Sequence, residues 1–139
     1  MKVLLDTNII LDIVLERQPF WEPAILLLEV APQANLTFYV TATTVTDLYY
    51  IVCKAKDHTI ARSFIVDILE FMQVAGVDRD VIKEAIHSNI ADFEDAVQAS
   101  AAKQCAIPII ITRNEKDFEN STLEVHSPTS FLQSLEKSK

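Results

Sequence analysis

MKVLLDTNIILDIV, residues 1–14, decides the fold and raises the chemical question in the same few residues. Lys2-Val3-Leu4-Leu5 reads as a short buried strand. Asp6 ends that strand, and a carboxylate is rarely buried unless it is paired or holds a metal. Neither a helix cap nor a solvated face accounts for an acid at this position, so partners for Asp6 are expected elsewhere in the chain.

Further along, short apolar runs alternate with helical patterns. Strands are expected at 2–5, 36–40 (LTFYV), 73–77, 107–112 (IPIIIT) and 123–126. Between them, Ile60, Phe64, Ile65, Ile68, Leu69 and Met72 recur at helical spacing, as do Val45, Leu48, Tyr49 and Val52 in 43–55 and Val81, Ile82, Ala85, Ile86 and Ile90 in 80–90. Helices are also expected at 22–31, 92–105 and 128–137, where Ser127-Pro128 reads as an N-cap followed by proline in the first helical turn. Strands alternating with helices, and strands that are almost wholly apolar, indicate an α/β fold around a mostly parallel sheet. Sites in such sheets gather beyond the carboxyl ends of the strands. Asp6 stands at one such end and Thr112-Arg113-Asn114 at another.

The composition narrows the chemistry. At 139 residues, half of them hydrophobic and 23% charged, the chain is expected to form one domain over 1–139. No run reaches the ~18–20 apolar residues of a membrane span. Cys53 and Cys105 match no metal-ligand spacing and are read as reduced, packed thiols in a cytoplasmic protein. The net charge of −8 argues against broad, unassisted nucleic-acid binding, but leaves room for an enzyme whose carboxylates are neutralised by cations. The acidity is concentrated early, with a balance of −4 over residues 1–50.

Two further stretches supply partners for Asp6: TATTVTDLYYIV, with Asp47 about one turn into a helix, and ADFEDAVQASAA, with Asp92, Glu94 and Asp95 at a helix start. Ala96, Ala99, Ser100, Ala101 and Ala102 let the second helix pack close to the sheet. Carboxylates converging from several segments repel one another unless a divalent cation compensates, and oxygen-only ligation favours Mg²⁺ or Mn²⁺. Such a site suits phosphoryl chemistry. Taken singly, most of these residues have plainer roles. Asp92 is favoured as an N-cap and Asp47 as a solvated helix residue. Asp12 and Glu16, four apart, are placed on a wet face of the first helix. Thr41, Thr43, Thr44 and Thr46 are read as capping residues, and no histidine is assigned to a metal.

The four stretches LLDTNIILDIVLERQPF, TATTVTDLYYIV, DFEDAVQASAA and IIITRNEKDF, in this order, resemble the PIN domain in the form found in VapC-type toxins of prokaryotic toxin–antitoxin pairs. The resemblance spans essentially the whole chain. It implies a three-layer α/β/α fold with a central parallel sheet of about five strands, and Mg²⁺- or Mn²⁺-dependent cleavage of RNA. Asp6 matches the first acidic ligand and Asn8 its usual neighbour, while Asp47 falls where Glu or Asp is found. Asp95 matches the third acid, and Asn114 the fourth position, where Asp is common. Asp47 is one methylene shorter than the more usual Glu, and Asn114 is neutral; Asp117 is the candidate to supply the missing charge.

The expected mechanism has Asp6 and Asp95 holding the cation with help from Asp47, and Thr112, Arg113, Lys116, Lys54, Lys56 and Lys103 meeting substrate phosphates. The resemblance further implies a homodimer, for which Phe20, Trp21, Ile25, Tyr49, Tyr50 and Phe64 are the interface candidates, with a plain core role as the equal alternative reading, and an antitoxin partner. The strongest rival is a PIN-fold module that binds RNA or a protein without cutting. A haloacid-dehalogenase-type phosphatase needs a second Asp where this chain has Asn8, and a receiver domain needs its phosphoacceptor Asp after a middle strand, where none fits cleanly near Val77.

Overall fold

β1 (Lys2–Leu5) occupies the centre of the sheet, because Val3, Leu4 and Leu5 are apolar on both faces and each is fully buried. The computed structural model describes residues 1–138. After β1 come α1 (Thr7–Val14), α2 (Trp21–Ala34), β2 (Thr37–Thr41), α3 (Ala42–Ala55) and α4 (His58–Phe71). β3 (Gln73–Ala75), α5 (Arg79–Ile86), α6 (Phe93–Gln104) and β4 (Ile109–Ile111) follow. A 3₁₀ turn (Glu115–Phe118), β5 (Glu124–His126) and α7 (Pro128–Lys137) complete the order. The strands lie in the order β3-β2-β1-β4-β5, and every pairing is parallel.

Alternation along β1 divides the core. Val3 and Leu5 pack with Ile9, Ile10, Leu27, Leu48, Ile68 and Phe131 on one face, under α1–α4 and α7. Leu4 packs with Val81, Ala96, Ala101, Ala102 and Ile110 on the other, under α5 and α6. Helices therefore cover both sides, the three-layer α/β/α arrangement. Small buried residues let α6 lie close to the sheet, so that its first turn reaches the strand ends. Asp92 caps that helix, accepting the Asp95 N–H at 3.0 Å, and Thr41 caps α3, accepting the Thr44 N–H at 3.2 Å.

The first helix corrects the expectation for Asp12 and Glu16. α1 ends at Val14, and Glu16 lies beyond it with a left-handed backbone (φ 50). Asp12 is fully buried rather than wet, because Arg113 from the turn after β4 covers it. Both cysteines are free, and no helix among the described residues is long and apolar enough to cross a membrane.

Candidate active site

Register brings the first two site residues together. Leu5 pairs with Ile111, so the next residues, Asp6 and Thr112, emerge side by side at the carboxyl ends of the two central strands. Both are buried, Asp6 at 6% exposure and Thr112 at 0%. The Thr112 hydroxyl donates to Asp6 Oδ2 at 2.7 Å, and its Oγ1 accepts the Asn114 N–H at 3.0 Å. The Thr7 N–H donates to Asp6 Oδ1 at 2.7 Å, so Asp6 does cap α1, a role the sequence reading had ruled out. Gln98 Nε2, from α6, donates to the same oxygen at 2.9 Å. Asp6 is thus held by three neutral donors and by no cation.

The acidic side of the site comes from α3, α6 and the 3₁₀ turn. Asp95 stands in the first turn of α6, and its carboxyl is pushed up to about 7, first by burial and then by the charges of Asp6, Asp92, Asp117 and Glu94. The Glu94 carboxyl is also raised, chiefly by its hydrogen bond with Asp47 and then by burial. Asp6, Asp47, Glu94, Asp95 and Asp117 therefore share one electrostatic field. A hydroxyl chain fixes the helices that carry two of them: Thr7 Oγ1 lies 2.9 Å from Thr44 Oγ1, which accepts from Thr41 Oγ1 at 3.0 Å. Asp117 follows a tight turn, its N–H donating to Asn114 O at 3.0 Å, with Phe118 fully buried beneath it.

Glu94 and Gln98 are members that sequence reasoning did not select. Glu94 was one of three acids crowding a helix start, and only its facing Asp47 distinguishes it. Gln98 lies one turn after Asp95 on the face where α6 otherwise carries small residues. A polar side chain among buried alanines was the available signal.

Other expectations fare differently. Asn114 and Lys116 are exposed and line an open cleft with Arg113, Glu115 and Asp117. The Arg113 guanidinium is engaged within the chain: its Nε donates to Asp12 Oδ2 at 2.7 Å, and it lies 4.0 Å from the Phe20 ring centroid. Lys103 sits near the far end of α6 and pairs with Glu84 at 2.7 Å. Lys54 lies seven residues past Asp47, about 10 Å further down the helix at ~1.5 Å per residue, and Lys56 is beyond it. These three lysines do not rim the acidic site. Among the proposed interface aromatics, Tyr50 is 70% exposed, whereas Phe64 packs against the core.

The donor set suits a hard divalent cation, since all its charged members are oxygens. Two buried acceptors, Asn8 Oδ1 and Gln98 Oε1, have no hydrogen-bond partner. Among the described residues no three His, Cys, Asp or Glu side chains are already drawn to one point. Carboxylates without a counter-ion repel one another, and a cation would relieve that repulsion.

The chain is 24% identical over 137 residues to ribonuclease VapC1 of Aquifex aeolicus (strain VF5), covering 95% of this chain and 94% of the relative. It superposes on VapBC2 of Rickettsia felis, crystallised with a DNA fragment from their promoter, with a TM-score of 0.69 at 18% identity, covering 91% of this chain and 98% of that one. A toxin–antitoxin complex from Klebsiella pneumoniae gives 0.68 at 22% identity, covering 91% and 97%. The PIN domain family matches residues 2–116, with Asp6, Asp47, Asp95 and Asn114 all inside the matched span. On that match and this fold, the chain belongs to the PIN domain family.

Proposed function

We propose that this PIN domain is a ribonuclease that hydrolyses RNA phosphodiester bonds with Mg²⁺ or Mn²⁺. The observation that carries the reading is the buried Asp6, held by neutral donors at the carboxyl edge of the sheet with Asp95 among the acids around it, whose charges and burial push the Asp95 carboxyl up to about 7. Perturbed carboxyls of this kind cluster at functional sites. Asp6, Asp95 and Asp47 are assigned as the cation's ligands, with Asn114 a neutral fourth oxygen donor. When bound, the cation neutralises charge and lowers the pKa of attacking water.

The protein's own residues prepare that chemistry. Thr112 and Gln98 fix the Asp6 carboxylate, so its orientation does not have to be found during each turnover. Asp95 gives up its proton near neutral pH, which adds the second anion. Glu94, beside Asp47, is placed to accept a proton, and Asn8 offers a buried acceptor near the start of α1. Lys116, exposed on the open cleft, meets substrate phosphates.

The assay is cleavage of structured and unstructured RNA with Mn²⁺ and with EDTA. Metal-dependent cleavage is the expected result; binding without cleavage makes the chain a non-cutting module, as the neutral Asn114 and short Asp47 would allow. The toxin–antitoxin assemblies among its structural neighbours support an antitoxin partner encoded beside this chain, which co-expression and co-purification would test. Exposed Tyr50, with Ile51 beside it at 38% exposure, supports a homodimer, tested by light scattering at micromolar concentration.

A further inference from the structure

We propose that Asp12 and Arg113 form a positioning clamp for the nuclease site, with Arg113 serving the turn after β4 rather than the substrate. The inference rests on the ribonuclease reading for its catalytic consequence, though not for its structural one.

Asp12 is fully buried six residues after Asp6, on the helix that Asp6 caps. Arg113 reaches it with two parallel donors, Nε to Oδ2 at 2.7 Å and an Nη to Oδ1 at 3.3 Å. This fork geometry is the one that orients a guanidinium as well as holding it. Phe20 closes over the outer face of the guanidinium at 4.0 Å, and Arg17 lies 4.0 Å from the Asp12 carboxylate at the rim. The flanking residues of Arg113 are the ones that matter. Thr112, just before it, donates to Asp6, and Asn114, just after it, donates its N–H to Thr112 Oγ1. Fixing the side chain of Arg113 to α1 therefore fixes the turn in which a neighbour orients Asp6 and another presents the fourth ligand candidate.

Stability alone is a poor reason for such a pair. A buried ion pair costs desolvation that apolar residues of similar volume avoid, and replacing one by such residues is often neutral or stabilising. A guanidinium beside an acidic site is also the obvious phosphate contact, yet this one is spent on Asp12. Both observations have one explanation if the pair sets the geometry of the turn.

The test compares Arg113→Gln, Asp12→Asn and the apolar double replacement Asp12→Leu/Arg113→Met. Cleavage is read as kcat and KM, and RNA binding in EDTA as a function of salt. Hydrogen exchange of the Asn114 amide needs neither metal nor activity. The clamp predicts that all three variants lose kcat, by roughly 10²-fold as sub-ångström misplacement does, with KM and the salt slope of binding unchanged. Asn114 exchange should speed up in all three, including the double variant that restores stability. Arg113→Lys, which keeps charge without the fork, should recover only part of kcat. If Arg113 instead binds phosphate, Arg113→Gln will weaken RNA binding and flatten its salt slope while Asp12→Asn will not, and the proposal falls. Full kcat and full Asn114 protection in the double variant would reduce the pair to packing and overturn it too. Should wild type cut no RNA, the ribonuclease reading fails, while the exchange data still decide the clamp.

Discussion

Asp6 and Asp12 are both buried, both on or at the cap of α1, and solve the same physical problem in opposite ways. Asp12 has a cation: Arg113 grips it bidentately, which offsets part of the burial that raises its carboxyl. Asp6 has only neutral donors, from Thr7, Thr112 and Gln98, and faces further acids across the site. A buried charge paired with arginine is finished, because its partner is covalently part of the chain. A buried charge held by hydroxyl and amide groups among other carboxylates is poised for a counter-ion from solution. The protein thus compensates charge where it needs shape and leaves charge uncompensated where it needs chemistry.

The largest effect that would break this contrast is at Asp6. Asp6→Asn keeps size and most hydrogen-bonding capacity but removes the charge that holds the cation. Cleavage should fall by at least ~10²-fold, while circular dichroism and melting stay close to wild type. Undiminished cleavage by folded Asp6→Asn protein would show that the uncompensated acid is incidental. Next is Thr112→Val, which deletes a fully buried hydroxyl bonded to a carboxylate. A loss of about 2 kcal/mol in urea unfolding is expected, together with faster Asn114 amide exchange.

Much of this contrast was legible in the sequence, and the illegible part has a physical cause. Apolar runs located all five strands to within two residues, because a strand buried on both faces has no polar residue to hide it. Asp6 stood out for the same reason. Asp12 was misplaced because helical spacing reports only which face a residue shares. Its partner lies 101 positions away, and no local pattern encodes that pairing. The reading of Lys103 failed differently: α6 starts at the site and runs away from it, so counting eight residues past Asp95 already places Lys103 at the far end. Gln98 was visible only as an exception among alanines.

A third measurement sharpens the comparison through pH. Asp95 has a folded pKa of about 7, against ~3.9 for an unperturbed Asp. The folded state therefore resists deprotonation. Below the unfolded value this group costs nothing, the cost accumulates as pH rises between the two values, and above the folded value it stays constant. The metal-free protein should lose stability across that window. Asp95→Asn should melt higher than wild type at pH 8 and match it below about pH 3, where wild-type Asp95 carries its proton in both states. Because cation binding must displace that proton, the apparent Mn²⁺ affinity of wild type should rise by roughly tenfold per pH unit below the folded pKa and level off above it. Calorimetric titration in buffers of different ionisation enthalpy would count the released proton; a pH-independent affinity would remove Asp95 from the ligand set.

The smallest predicted effect is at Asn114, where the uncompensated region extends to the surface. Asn114 is exposed beside Lys116, two residues past Thr112, so a carboxylate there would sit in largely aqueous surroundings. In that dielectric one added charge near a cation is worth about 1 kcal/mol, a several-fold gain in affinity. Asn114→Asp should therefore bind Mn²⁺ several-fold more tightly and cleave RNA at least as well as wild type. The same charge also adds to the field that raises Asp95, so the metal-free variant should melt slightly below wild type at pH 8 and recover on adding Mn²⁺. Opposite signs with and without metal distinguish this from a generic surface change, which would shift both melts together. Raising the ionic strength should shrink both differences, since the added charge is screened by salt. A variant that melts lower under both conditions, with weaker Mn²⁺ binding, would mean that the position does not face the cation.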